Sequence, residues 1–203
     1  MLKCSNYEVF NFENALRGMR NPLDSWNLND SSFDGELVIG PNDLKLAKNL
    51  RKAGSDHRKY LRQILVGVDI EGPLYWWKEF DTYKVATVAN STSTMHTIHK
   101  KGFVGEMFSV EGLSDESREV FLAYLAYMEK LRLDYNDTKD KATWEEIIKL
   151  LPTSFNQLRT VTLNYETLLS IYHARKNHKL VEWHSFCKWI EELPYFKEIC
   201  LED

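Results

Sequence analysis

The stretch that decides the fold is Gly72-Pro73-Leu74-Tyr75-Trp76-Trp77-Lys78-Glu79-Phe80-Asp81-Thr82-Tyr83-Lys84-Val85-Ala86-Thr87-Val88-Ala89-Asn90-Ser91-Thr92-Ser93-Thr94-Met95-His96. Its first half carries the adjacent Trp76 and Trp77, three further aromatics and the lysines Lys78 and Lys84. Its second half is a run of small hydroxyl residues around Asn90. Flat side chains can cover a ring, lysines can meet phosphate, and short hydroxyl and amide groups let a polar heterocycle bond close to the backbone. The same residues also read as an amphipathic helix whose aromatics are core, followed by a polar loop. Composition alone leaves both readings standing.

Working outward, Ile64 to Ile70 is the best strand in the chain, rich in β-branched residues. Glu71-Gly72-Pro73 turns it into the aromatic helix. Upstream, Tyr7 to Phe10 reads as a short strand and Phe12 to about Arg20 as a helix, with Asn11 a candidate N-cap and Asn21-Pro22 its end. Asn27 to Gly35 is a polar loop and Glu36 to Ile39 a short strand. Gly40-Pro41-Asn42-Asp43 then launches a helix through Leu44, Ala47 and Leu50, closed by Gly54. Downstream, Gly102 to Gly112 is a connector, suited to a mobile loop or a short strand.

From Ser114 the spacing of Val120, Leu122, Leu125, Met128 and Leu131 predicts a helix through Leu133, broken at Tyr135-Asn136-Asp137. Thr143-Trp144-Glu145-Glu146 has capping-box spacing and opens a short helix ending at Leu151-Pro152. Further helices run from about Asn164 to Lys176 and from Val181 to Glu192. Strands interspersed with helices, then helices only, predict a single α+β domain over 1–203, mixed in 1–112 and helical in 113–203.

With 203 residues, 43% apolar and 28% charged, the chain has an ordinary globular composition. Six Trp, ten Tyr and ten Phe imply a bulky core, ring-lined surfaces or a subunit interface. A net charge of −4 argues against a general nucleic-acid coat protein, and no nucleic-acid partner is expected. Local pairs such as Arg58-Lys59 and Lys100-Lys101 still suit small phosphorylated ligands. Cys4, Cys187 and Cys200 are odd in number and lack Cys-x-x-Cys spacing, which points to reduced thiols in a cytoplasm. No apolar run of signal or membrane-span length occurs, so no membrane association is expected.

Chemical motifs are sparse. His178 with Glu182, and His96 with His99, have helical spacing but no third ligand, so they read as surface or hydrogen-bonding histidines rather than a metal site. Ser91 and Ser93 lack a Gly-x-Ser-x-Gly elbow, and Cys187 reads as a buried helix residue. Neither Gly-x-Gly-x-x-Gly nor Gly-Lys-Ser/Thr is present. The basic run Arg175-Lys176-Asn177-His178-Lys179 complements a helix dipole. Alternatively, an arginine on a rigid helix end can grip phosphate or polarise a pyrimidine carbonyl.

Taken in order, these pieces resemble the flavin-dependent thymidylate synthases. That family has a strand, a Gly-Pro-type turn, then Arg-His-Arg-x-x-Ser-x-Asn-Glu-x-Ser-x-Arg-Tyr on a helix and loop. Val66 to Pro73 resembles the entry strand and turn, and Tyr83 to His96 occupies the motif, matching it in identity at Asn90 and Ser93. Counting from Pro73 instead shifts the register by one. The family's Leu-Pro, helix-opening asparagine and helix-closing arginine are matched by Leu151-Pro152, Asn164 and Arg175. Twelve residues separate Pro152 from Asn164 and eleven separate Asn164 from Arg175, the family's spacing. Trp183 resembles the family's tryptophan, with about one residue inserted.

The resemblance implies an α+β subunit with an antiparallel sheet flanked by helices and a helical C-terminal half, assembled as a homotetramer. It implies FAD as cofactor, dUMP as the pyrimidine nucleotide stacked on it, methylenetetrahydrofolate as the carbon donor and NADPH as the reductant. Ser93 and Arg175 would be catalytic and would touch the nucleotide, with Lys78 a further substrate-binding candidate. Asn90 and Asn164 would face FAD, with Lys84 and Ser91 beside them. The departures are specific. The motif's first arginines fall at Tyr83 and Val85 (Thr82 and Lys84 in the other register), its glutamate at Ser91 and its closing Arg-Tyr at Met95-His96. An arginine four before the proline is replaced by Ile148. Each lost charged hydrogen bond is worth about 1.5–3 kcal/mol, and lysines at 78, 84, 100 or 101 replace a fork with a point charge. The expectation is therefore a divergent thymidylate synthase-like enzyme. The alternatives are a nucleotide-binding or regulatory protein that keeps the fold without the chemistry, and an unrelated interaction protein.

Overall fold

The structure, a computed structural model, describes residues 2–202. Four strands, β1 (Lys3–Phe10), β2 (Leu65–Pro73), β3 (Val88–Ser91) and β4 (Asn156–Asn164), form one antiparallel sheet in the order β1-β2-β4-β3. The helices are α1 (Phe12–Arg20), α2 (Pro41–Lys52), α3 (Leu74–Phe80), α4 (Thr94–Thr97), α5 (Asp115–Thr138), α6 (Lys141–Leu150), α7 (Tyr165–Arg175) and α8 (Val181–Glu191). This is an α+β fold. The chain packs as two compact units. The first takes in residues 2–3, Ile70–Thr82 and Asn90–Arg159; the second takes in Cys4–Asp69, Tyr83–Ala89 and residues 160–202. Each strand contributes residues to both.

In the first unit, α3 starts after Pro73, whose fixed φ and missing N–H suit a helix entrance. Trp76, Trp77 and Phe80 fall on one side of it and are fully buried. Trp77 packs edge-on to Trp76 at 4.8 Å, and its Nε1 donates to the Gln157 carbonyl at 3.0 Å. Arg159 lies 4.2 Å above the Trp77 ring and pairs with Asp81 at 2.7 Å. The two tryptophans are therefore core and not a platform for a ligand ring. Each contributes roughly 1.5–3 kcal/mol or more by leaving water.

Ser114 caps α5, its Oγ accepting from Ser117 N, and Asp115 and Glu116 complement the positive helix end. Leu125, Met128 and Leu131 pack with Ile147 of α6 and with Ile98, Phe103, Phe108 and Phe155. The helix does not break at Tyr135-Asn136-Asp137. Asn136 Nδ2 donates to the His99 carbonyl at 2.9 Å and the Tyr135 ring stands edge-on to His99, so tertiary contacts carry the last turn. It ends at Lys139 in left-handed conformation (φ 56°). The cap of α6 is Asp140, which accepts from Thr143 N at 2.8 Å; the helix starts before the predicted capping box.

In the second unit, Phe12, Tyr165 and Phe196 stack edge to face at 5.6 and 5.1 Å among the buried residues of α1, α7 and α8. Asn11 is not a side-chain cap: it adopts φ 71° and its Nδ2 donates to the Gln63 carbonyl. The segment Glu36 to Ile39 makes one bridge, Val38 to Ser32, in place of a strand. The loop before it caps α2 from a distance, with the Asp30 carboxylate accepting from Asn42 N (2.8 Å) and Asp43 N (3.0 Å). Gly40 allows this approach, since a Cβ there would lie 2.3 Å from the Asp30 carbonyl oxygen. Arg20 and Asp43, both buried, form an ion pair at 2.6 Å.

The strand β4 stands inside the half predicted to hold helices only. Val161 and Leu163 are buried while Thr160 and Thr162 are exposed, an alternation of period two. It carries Gln157 and Arg159 to the first unit's core and places Asn164 at the start of α7.

Candidate functional site

The predicted site residues divide between the units. In the second unit, α7 ends at Arg175, where Tyr83 meets it. Arg175 Nε donates to Tyr83 Oη at 2.8 Å, and the guanidinium carbon lies 4.8 Å from the Trp183 ring and 5.6 Å from the Tyr83 ring. Trp183 is fully buried at the start of α8 and meets Tyr83 edge-on at 6.1 Å. A guanidinium held by an aromatic face and a phenol keeps its planar fork in one orientation. Thr167 Oγ1 donates to the Val85 carbonyl at 3.3 Å, a second tie between α7 and this segment.

Lys84 follows Tyr83 and is exposed, and Ala86 takes the left-handed conformation (φ 57°). Asn164 is buried and caps α7, its Oδ1 accepting from Thr167 N at 2.9 Å, which leaves its Nδ2 amide for other partners.

In the first unit, Asn90 and Ser91 close β3, an edge strand whose four residues are all exposed. Ser93 caps the short α4. Its Oγ accepts from His96 N at 3.3 Å and stands 2.8 Å from His96 Nδ1, so hydroxyl and imidazole share a hydrogen bond. Lys78 is exposed on α3, one residue past the buried tryptophans.

The same unit contains a cavity of about 470 Å³, reached by Thr92, Thr97, Lys100 and Lys101 and floored by Ile98 and Phe155. Asn156 and Gln157 complete a polar wall. Sequence reading missed those two because β4 was not expected; its signal was the alternation Thr160-Val161-Thr162-Leu163.

His178 Nδ1 accepts from Leu180 N at 3.2 Å. Among the described residues, no group of three or more His, Cys, Asp or Glu is placed to hold a metal ion. Burial pushes the Cys4 thiol up to about 12 and Cys187 up to about 11, and raises Cys200 further. Among the described residues, no helix is long and apolar enough to cross a membrane.

No family model and no curated relative matches the sequence. The fold, however, is that of the flavin-dependent thymidylate synthases over the whole length of the chain. Two solved structures of thymidylate synthase X from Helicobacter pylori match it, both determined with FAD and dUMP. One gives a TM-score of 0.75 at 17% identity over 100% of this chain and 97% of that one. The other gives 0.74 at 17% identity over 100% and 98%.

Proposed function

We propose that the protein is a divergent flavin-dependent thymidylate synthase-like enzyme that binds FAD and a pyrimidine nucleotide and transfers one carbon to C5 of dUMP. The observation that carries this reading is the full-length likeness to proteins solved with both ligands. The residues present suit such a cofactor. Lys84, Asn90 and Ser91 are exposed, and Asn164 keeps an amide donor while its oxygen caps α7. Bound flavin supplies the reduction of the transferred carbon, with methylenetetrahydrofolate as donor and NADPH as electron source. Arg175 binds the nucleotide by charge-assisted hydrogen bonds, its approach fixed by Tyr83 and Trp183. Ser93, its hydroxyl oriented by His96, hydrogen-bonds the base, and Lys78 attracts the anionic ligand.

A homotetramer fits the exposed β3 edge and the exposed Val85 and Val88, which would pair or be covered between copies. Three free thiols, with Cys187 and Cys200 buried, fit a cytoplasmic protein.

A second reading is a protein that keeps the fold and binds nucleotide without turnover. Ile148, standing where the family has arginine, packs against the first unit's apolar core, and Val85 is an exposed aliphatic side chain where another arginine would be. Purified protein titrated with FAD and assayed with dUMP, the folate donor and NADPH separates the two. Flavin uptake with dTMP formation supports the enzyme, flavin uptake without product supports the second reading, and no flavin uptake removes the first.

A further inference from the structure

The net charge of −4 averages two unlike surfaces. Leu44 to Arg62 holds seven of the 26 Lys and Arg residues and only Asp56 of the 30 Asp and Glu, which leaves the rest of the chain more acidic than the total. Within this segment, α2 sets Lys45, Lys48, Arg51 and Lys52 inside about a third of its circumference, at 3.6 residues per turn. Asp43, the acid of this helix, is turned to the other side and buried against Arg20. Lys45, Lys48 and Lys52 line one concavity with Asn49. Lys45 and Lys52 are exposed, while Lys48 meets Glu202 at 3.6 Å and Arg51 Nη2 donates to the Glu202 carbonyl at 2.7 Å. The positive region continues past α2. His173, near the end of α7, has its pKa held below the usual histidine value, first by partial burial and then by Lys176, Arg58 and Arg51.

Three kinds of polyanion could meet such a face, and its make-up separates them. An anionic bilayer is held by basic helices that also bury an apolar side; here every Leu and Tyr from Leu44 to Leu61 is already partly or wholly buried in the protein. An acidic peptide gains little from exposed carboxylate pairs, because each must fix two mobile side chains in a high dielectric. A phosphate backbone offers regularly spaced charges, and lysines displace its condensed counterions, so the gain grows with every contact. From Lys45 to Lys52 the row runs about 10 Å at 1.5 Å per residue, beside about three phosphates of one strand at 3.4 Å each. The aromatic ring of this segment, Tyr60, is buried and gives unpaired bases nothing to stack on, which favours a duplex over a single strand. RNA duplexes are gripped largely through 2′-hydroxyls across the minor groove; a row of ammonium groups suits phosphate instead.

We infer that this face of the second unit docks double-stranded DNA through its phosphate backbone, without reading sequence. The inference is independent of the proposed flavin chemistry, since none of these residues belongs to that site.

The test is fluorescence anisotropy of a labelled DNA duplex of about 20 base pairs, titrated with the full chain between about 50 and 200 mM salt. The expected result is binding of about micromolar strength at the lower salt, with log affinity falling against log salt at a slope near −3, about 0.9 for each of three or four phosphates. Lys45→Gln/Lys52→Gln and the charge-reversed Lys45→Glu/Lys52→Glu should weaken binding about tenfold or more and flatten that slope by about 2, with the melting temperature of the parent. Lys130→Gln/Lys141→Gln, which removes the same charge from the first unit, should bind as the parent does. No binding at the lower salt, an affinity that ignores salt, or parental affinity in both α2 variants overturns the inference. So does tighter binding, at the same salt, of an RNA duplex of the same sequence, of an acidic peptide or of vesicles containing anionic lipid.

Discussion

Arg175 and Tyr83 are ninety-two residues apart in sequence, yet the guanidinium Nε donates to the phenol oxygen at 2.8 Å. The aromatic segment and the helix end, which the resemblance assigns to one nucleotide site, touch within one chain through these side chains. Tyr83→Phe removes the acceptor and leaves the ring. It should cost about 0.5–1.5 kcal/mol in denaturant unfolding and weaken nucleotide binding by releasing the guanidinium from its orientation. Arg175→Ala should weaken dUMP binding about tenfold or more, read by titration. A variant with parental dUMP affinity would remove Arg175 from the site.

Asn164 has a structural duty that can be separated from a role at a cofactor. Its oxygen caps α7, and replacing a capping asparagine by alanine costs about 1 kcal/mol. Asn164→Ala should therefore lower stability, while Asn164→Asp keeps the capping oxygen and should melt near the parent. Both remove the Nδ2 donor. If that amide meets FAD, both variants lose flavin affinity alike, which flavin absorbance during titration will show.

The Arg20–Asp43 pair is buried at both ends, with side-chain exposures of 3% and 0%. Asp43 also accepts from Ser31 Oγ at 2.6 Å. Removing one partner of such a pair strands the other charge, at a cost of about 3–5 kcal/mol. Arg20→Ala should unfold at markedly lower denaturant than the parent, and Arg20→Met/Asp43→Leu should recover part of the loss. Equal midpoints for Arg20→Ala and parent would contradict the account.

Acid should weaken the first unit through Glu129. Its carboxylate accepts from Arg132 at 2.5 and 2.8 Å and from Phe103 N at 2.9 Å, and the Arg132 contact first among these holds its pKa below the usual glutamate value. The unfolded group titrates near about 4.3. A depressed folded value means the contribution is complete above that pH and is lost as pH falls through the folded pKa. Unfolding midpoints should drop below about pH 4.3. Glu129→Gln, already without the charge, should show a shallower decline over the same interval.

Much of the fold is local and therefore readable. The apolar repeat of α7, the β-branched run in β2 and the proline at the α3 entrance each act within a few residues, and each element lies close to where spacing puts it. What escaped depends on distant partners. The strand β4 is polar at Asn156, Gln157, Arg159 and Thr160, and its register is set by neighbouring strands that no local window contains. The last turn of α5 persists because Asn136 finds the His99 carbonyl. Of the proposed site residues, Arg175 and Ser93 were visible as residue types at a helix end and in a hydroxyl run. Their partners Tyr83 and His96 were visible only as neighbouring motif positions, and the wall formed by Asn156 waited on β4. Composition also left the tryptophans open between ligand platform and core, and only packing decided for core.

Ala86 keeps a left-handed backbone without being a glycine, a geometry that costs an ordinary residue roughly 1–2 kcal/mol. A glycine would relieve that torsion but let the free chain roam through many more shapes. The folded chain therefore carries that torsional cost in the segment that bears Tyr83 and Lys84, and tertiary ties such as the Thr167 Oγ1 contact to the Val85 carbonyl hold it there.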